Sequence, residues 1–240
     1  MLKSYISEGW MKVLREKSKT LRDLLDLEVM EKILAAGSGR SYADGQVIQE
    51  RGETQTGLSI VTSGQVVGGN VGHDGSLLAS ALLRPGETFG EFTLFAGLPR
   101  THTLWAQGPT HITYVTAKRF MKLFDADPSI ARAMMTLTLQ RNYEMMDFMD
   151  SQRRFSLAAR VARLLLIAVD AETGRETIEC RHEDLAFMLG VSRVATGKAL
   201  GRLEKDGFVV RGYGYIEIPD VEAMRSMIAA EDPFFPISQS

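Results

Sequence analysis

From about residue 38 the sequence is a succession of short β-rich runs, Gln46–Gln49, Leu58–Thr62, Leu77–Leu83 and His111–Val115. Turn signals cut them apart: Ala43-Asp44-Gly45, Arg51-Gly52-Glu53, Ser63-Gly64 and His73-Asp74-Gly75. Strands this short, each closed by a glycine-bearing turn, bury an apolar face only by curling together, so the region predicts a small barrel or jelly roll. On either side the period changes. Residues 10–36 carry Leu21, Leu24, Leu25, Val29, Ile33 and Leu34 at helical spacing. Asp127-Pro128 opens another helix, with Asp as N-cap and Pro at the first position.

That second helix is the longer one. Residues 129–154 hold Met135, Met145, Phe148 and Met149 on a repeating stripe. A heptad with Met135, Asn142 and Met149 at one seam position and Thr138, Met145 and Gln152 at the other would bury it against a twin helix, which implies a homodimer. Packing against its own barrel is the alternative. A break follows at 151–156, where Ser156 can cap the next helix, 157–171, which Thr173-Gly174 ends. The chain therefore divides into residues 1–127, 128–155 and 156–240.

Within the β region, residues 89–106 read FGEFTLFAGLPRTHTLWA. A glycine such as Gly90 lets backbone approach a ligand closely. Glu91 can accept hydrogen bonds from a sugar hydroxyl, and Arg100 can grip a phosphate in a charge-assisted, bidentate way. Amides at the start of the turn 90–96 would add an anion nest. The set suits a nucleotide with one negative charge, and a structural Glu91–Arg100 ion pair inside the barrel suits it equally.

A second pattern lies at 181–206, RHEDLAFMLGVSRVATGKALGRLEKD. Leu185, Ala186 and Leu189 mark the inner face of a short helix, Gly190 makes a turn, and Val191 plugs the core. Ser192 caps a second helix with Ala199, Leu200 and Leu203 inward. Its outer face carries Arg193, Val194, Gly197, Lys198, Gly201 and Arg202, and the two glycines would let it sit deep in a groove. Residues 207–218 then read as a β-hairpin wing. From residue 156 onward there are 10 basic and 13 acidic residues, so charge alone does not announce nucleic acid.

Other chemistries find little support. His182-Glu183 begins like a metalloprotease HExxH, but Ala186 stands where the pattern continues and no second ligand is near. The single cysteine, Cys180, excludes a disulfide framework or a four-cysteine cluster. No nucleophile arrangement is visible and no metal site is expected, so an enzyme is not expected. No apolar run reaches the roughly 18 residues of a membrane span, and the N-terminus lacks a signal-peptide core, so a cytoplasmic location is the default.

The segment 89–106 closely resembles the phosphate-binding cassette of cyclic-nucleotide-binding domains, with Phe89, Gly90, Glu91, Leu94, Pro99, Arg100 and Thr103 in place. With the long helix and the helix-turn-helix, the order of parts resembles the Crp/Fnr family of bacterial transcription regulators over about residues 25–220. The resemblance implies an α+β chain: an N-terminal β-roll, a long dimerisation helix and a C-terminal winged helix-turn-helix. Cyclic AMP or cyclic GMP would be its allosteric ligand. Double-stranded DNA with a two-fold symmetric operator would be its partner, and RNA polymerase a further one. By position, Gly90, Glu91 and Phe92 would line the nucleotide site, with Glu91 on the ribose 2′-hydroxyl and Arg100 and Thr101 on the cyclic phosphate. A threonine at 101 also keeps guanine in view.

Met145 and Met146 stand where members with strict adenine preference carry Thr-Ser, which leaves Asn142, one turn earlier, as the candidate for a base edge. On the DNA side, the resemblance gives Arg193 a bidentate guanine contact and Lys198 a second base. It gives Arg181, His182, Ser192 and Thr196 phosphate contacts. Val194 replaces the glutamate of the cyclic-AMP-responsive members, so a different half-site is expected, with a thymine methyl against Val194.

Overall fold

Thr20 opens the described chain with a reciprocal cap. Its backbone N–H and its hydroxyl both donate to the Asp23 carboxylate, at 2.8 and 2.7 Å, and start α1, Leu21–Leu24. The computed structural model describes residues 19–71, 77–171 and 177–231. The expected helix before residue 19, the turn at His73–Gly75 and the helix end at Thr173-Gly174 lie outside them. The chain forms two compact units that part between Tyr143 and Glu144.

In the first unit α1 is followed by α2 (Leu27–Ala35) and six strands: β1 (Ser38–Tyr42), β2 (Val47–Gln49), β3 (Gly57–Val71), β4 (Leu77–Leu83), β5 (Thr88–Phe89) and β6 (Thr103–Thr116). They make one antiparallel sheet in the order β1-β6-β3-β4, with β2 on β6 and β5 on β3. Two of the strands are far longer than the runs Leu58–Thr62 and His111–Val115 predict. The reason lies in glycine. Ser63-Gly64 does not turn the chain but bends β3 at a bulge, where the register against β6 slips. Gly64 has φ +76°, and a Cβ there would lie 2.4 Å from the Pro109 carbonyl oxygen, so glycine lets two strands cross closely without stopping either. Strand β1 carries no apolar alternation (SGRSY, largely exposed) and so has no sequence signal.

Leu58, Ile60 and Val115 from the sheet meet Leu21, Ile33 and Phe120 in a buried cluster. Burying each such side chain contributes roughly 1.5–3 kcal/mol. Phe120 belongs to α4 (Ala117–Ala126), a helix that no motif of the sequence announces. The long helix α5 runs from Pro128 to Arg154, and Asp127 caps it by accepting from the Ser129 N–H at 2.9 Å. Ile130, Ala133, Met134 and Leu137 of α5 sit in the same buried cluster. The packing alternative is thus right for this stretch. Met135, Leu139, Met145, Met146 and Met149 are each at least half exposed.

Within the second unit the chain is interrupted at Phe155–Ser156. Ser156 Oγ accepts from the Ala159 N–H at 3.2 Å and caps α6, Leu157–Ala171. Then come β7 (Thr177–Glu179), α7 (His182–Leu189), α8 (Arg193–Lys205), the hairpin β8 (Val210–Arg211) and β9 (Tyr215–Glu217), and α9 (Val221–Glu231). The strands form a small sheet in the order β7-β9-β8, which is the wing expected at 207–218. Leu165, Leu166, Leu185, Leu200, Ile216 and Ile228 form buried apolar positions on five different elements. Among the described residues no helix is long and apolar enough to cross a membrane.

Candidate nucleotide site and nucleic-acid interface

Strand β5 delivers the chain to Gly90, whose φ of +113° turns it into the short helix α3, Glu91–Phe95. The segment 90–96 is therefore a helical turn and not an open one. Thr93 fastens it by donating its hydroxyl to the Gly90 carbonyl at 2.9 Å. Only glycine fits here. A Cβ on residue 90 would lie 2.3 Å from the Gly57 carbonyl oxygen and 2.6 Å from Arg100 Nη1. The glycine and the arginine of the motif, separated along the sequence, are brought together in space.

Arg100 is only 7% exposed. Its Nη2 donates to the Gln55 carbonyl at 3.0 Å, while its buried Nε has no partner. Its backbone is pinned as well, donating to the Glu53 carbonyl at 2.9 Å and accepting from Gly52 at 2.8 Å. Burial draws the guanidinium below its usual pKa, and the negative charge of Glu91 and Glu53 draws it back. A buried guanidinium stays charged, and an unpaired donor on it costs free energy until an acceptor arrives. The side chain lines a cavity with Arg40, Tyr42, Gln49, Glu53 and Tyr114. Arg40 lies 4.7 Å over the Tyr114 ring.

Glu91 does not pair with Arg100. Its carboxylate accepts from the Thr88 hydroxyl and forms an ion pair with Arg141 Nη1 at 2.9 Å, while Arg141 Nη2 donates to the Thr88 carbonyl at 3.0 Å. The structural alternative of a buried Glu91–Arg100 pair is thereby corrected: α5 supplies the cation. Arg141 belongs to no motif read from the sequence, although a signal for it is present. It continues the buried stripe Ile130, Met134, Leu137 by one more turn, and a charge on an apolar stripe calls for a partner.

Of the remaining expected ligand contacts, Phe92 is 53% exposed, and Thr101 is exposed with its hydroxyl 2.8 Å from His102 Nδ1. Burial, and secondarily the charge of Arg51, holds the His102 imidazole below its ordinary pKa, which favours the neutral ring beside Thr101. Asn142, Met145 and Met146 are all exposed on α5.

In the second unit α7 and α8 are joined through Gly190, at φ +63°, and Ser192, whose Oγ accepts from the Ala195 N–H at 3.2 Å. Leu185, Ala186, Leu189, Ala199, Leu200 and Leu203 are buried as the spacing predicts, while Val191 is only half-buried. The outward face carries Arg193, Val194 (69% exposed) and Lys198. A Cβ on Gly197 or Gly201 would meet nothing nearer than 4.0 Å, so that face is open between them. Arg181 is exposed and pairs with the buried Asp184 at 3.5 Å, and His182 is half-buried. Thr196 is a correction. It is fully buried, and its hydroxyl donates to the Ser192 carbonyl at 3.2 Å, so it holds the start of α8 and does not reach outward to a phosphate. Acids accompany the basic residues of this face: Glu183 with Arg193 at 2.9 Å, Asp206 with Arg202 at 3.9 Å, and Glu204 with Arg211.

Comparison with known proteins bears on both sites. Residues 39–127 match the family model of the cyclic nucleotide-binding domain, and residues 159–227 that of the Crp-like helix-turn-helix domain. The chain is 29% identical over 188 residues to the HTH-type transcriptional regulator Cmr of Mycobacterium tuberculosis, covering 78% of this chain and 75% of that protein. It is 26% identical over 200 residues to the cyclic AMP receptor protein of Thermus thermophilus, covering 83% and 92% of the two. The crystal structure of the Thermus thermophilus catabolite activator protein superposes with a TM-score of 0.51 at 26% identity, covering 88% of this chain and 99% of that one.

Proposed function

We propose, from the premise that this chain belongs to the Crp/Fnr family of transcription regulators, that it is a homodimer in which a cyclic nucleotide held by the roll sets the DNA affinity of the helix-turn-helix. Independently of that mechanism, the chain is a DNA-binding transcription regulator with a cyclic nucleotide-binding domain, and not an enzyme. One observation carries the finer reading. Arg100 is buried with an unpaired Nε in a pinned segment beneath a glycine that leaves it room, and an anion supplies the acceptor it lacks. Cyclic AMP or cyclic GMP would bring one phosphodiester charge and a ribose hydroxyl. The name of the Thermus relative, a cyclic AMP receptor protein, supports this ligand class.

In this reading Arg100 and Thr101 hold the phosphate and Glu91 accepts from the ribose, with Gly90 and Phe92 closing the site. Asn142 would meet a base edge. Glu91 already has Arg141 and Thr88 as partners, so a sugar hydroxyl must share or replace them. That competition would connect the cassette to α5, since Arg141 stands on the long helix. The exposed Met135, Leu139, Tyr143, Met145, Met146 and Met149 support a helix partner from a second copy. Ligand-dependent affinity is then a shift between two arrangements of the dimer. On α8, Arg193 would read guanine, Lys198 a second base and Val194 a thymine methyl, while Arg181, His182 and Ser192 meet phosphates. RNA polymerase would be a further partner, and the cytoplasm the place of action.

A second reading has its own support. The cavity at Arg100 is lined by Arg40, Tyr42, Gln49, Glu53 and Tyr114 and not by Glu91, which suits an anionic effector that ignores the ribose acceptor. Calorimetric titration with cyclic AMP and cyclic GMP, repeated on Arg100→Ala and Glu91→Gln, separates the two. Binding lost in both variants supports the cyclic-nucleotide reading. Absence of heat from either nucleotide with the unaltered protein would end it.

A further inference from the structure

Glu183 stands in the first helix of the helix-turn-helix and belongs to no role assigned so far. Its Oε1 lies 2.9 Å from Nη1 of Arg193, the first residue of α8. In the free protein such a pair does little for stability, because the two side chains are 51% and 70% exposed and water screens them. Its consequence lies elsewhere. An unrestrained arginine at the start of a recognition helix samples many rotamers and finds phosphates as readily as bases. Phosphate contacts carry no sequence information.

A carboxylate on Nη1 changes that in two ways. It fixes one end of the guanidinium fork, leaving the Nη2 and Nε edge to form two parallel hydrogen bonds. It also places a negative charge next to the arginine, which penalises approach to a phosphate more than approach to the O6 and N7 acceptors of guanine. The surroundings favour the same outcome. Val194 offers no competing polar group and Gly197 leaves open space one turn on, whereas Glu204 takes the Nε and Nη2 edge of Arg211, so that arginine keeps no such fork free. With 10 basic and 13 acidic residues from 156 onward, this part of the chain cannot rely on bulk charge to hold DNA, so its discrimination rests on how the few outward basic side chains are aimed.

We propose that Glu183 is a positioning residue for DNA recognition: through its ion pair it orients Arg193 for a guanine edge and lowers affinity for non-specific DNA. This rests on the reading of α8 as the DNA-reading helix. The test uses the full chain, with whichever nucleotide proves to activate it, and a random-sequence duplex library for site selection. Four proteins are compared: the unaltered chain, Glu183→Gln, Arg193→Ala and the double variant.

The unaltered protein should select a two-fold symmetric site with a fixed guanine in each half. Glu183→Gln should lower the preference at that guanine roughly fivefold to tenfold, a part of what a full bidentate contact supplies. It should raise non-specific affinity about threefold and make binding to non-specific DNA more salt-dependent. In the Arg193→Ala background the same change should leave base preference unmoved, because Glu183 then has nothing to aim.

An unchanged guanine preference in Glu183→Gln, with Arg193→Ala losing it, overturns the role of Glu183 and leaves the DNA reading intact. An equal effect of Glu183→Gln with and without Arg193 overturns it too, since Glu183 would then act on DNA directly. If Arg193→Ala alters no preference, the reading of α8 falls and this proposal with it. Both positions are exposed, so thermal melts should coincide among the four proteins.

Discussion

Two arginines, one in each unit of this regulator, are treated in opposite ways. Arg100 in the roll is 7% exposed, pinned through its backbone and short of an acceptor on Nε. Arg193 on α8 has a side chain 70% exposed and rests on a carboxylate. In the proposed reading the first would be prepared for a small anion by burial, which costs stability in advance and would make the site selective for charge. The second would be prepared for a large polyanion by orientation, which costs almost nothing. A pocket can strip a ligand of its water, whereas an outward helix must meet a hydrated groove and gains more from aim than from desolvation.

The sharpest way to break this contrast is to remove each arginine. Arg100→Ala should weaken nucleotide binding by about 3–5 kcal/mol, since a buried charge pair truncated on one side loses that much. It should leave unfolding free energy unchanged or slightly raised, because the orphaned donor disappears with it. Calorimetry and urea melts read the two quantities. A large loss of stability would mean that Arg100 is structural after all.

Next in size, Gly90→Ala should destabilise the first unit by about 2–3 kcal/mol, combining a left-handed φ with a collision against the Gly57 carbonyl and Arg100. A urea midpoint within error of the unaltered protein would show that the cassette relaxes more easily than its geometry implies. For Arg193→Ala the contrast demands an effect on DNA alone. Discrimination against a site lacking its guanine should fall by about 1–3 kcal/mol, with the melting temperature unmoved.

Smaller again, Ser192→Ala removes the acceptor for the Ala195 N–H and should cost about 1 kcal/mol of stability. Thr196→Val, at a buried position that faces no phosphate, should leave the salt dependence of DNA binding as it was. The smallest effect is one of pH. His102 has its pKa lowered in the folded chain, so the unfolded chain binds the proton more readily. Its contribution is therefore complete above the ordinary imidazole value of 6.5 and is lost as pH falls below it toward the folded value. Over the same window a protonated Nδ1 can no longer accept from the Thr101 hydroxyl. Urea melts of the unaltered protein and His102→Gln across mildly acidic pH should converge at the acid end.

What was legible in the sequence was chemistry tied to short spacing. Helix caps at Asp127, Ser156 and Ser192, the inward Leu185, Leu200 and Leu203, the Gly190 turn and the hairpin wing all depend on residues within a few positions of each other. Local propensity and periodicity therefore sufficed. The long strands did not follow from the same rules. A glycine in a strand reads as a stop, and whether it stops the chain or bends it depends on the strand crossing opposite, here β6 over Gly64.

Residue order alone was enough to put a Gly-Glu and an Arg-Thr into a β-rich domain, and to have a second domain present arginine and lysine from a glycine-punctuated helix. The partners of those charges came only from packing. Arg100 took the Gln55 carbonyl and kept a free donor, Glu91 took Arg141 on a distant helix, Arg193 took Glu183, and Thr196 turned inward. A charge specifies the need for a partner and not its address. Which opposite group arrives within hydrogen-bond reach is fixed only when the helices and strands that carry them have packed.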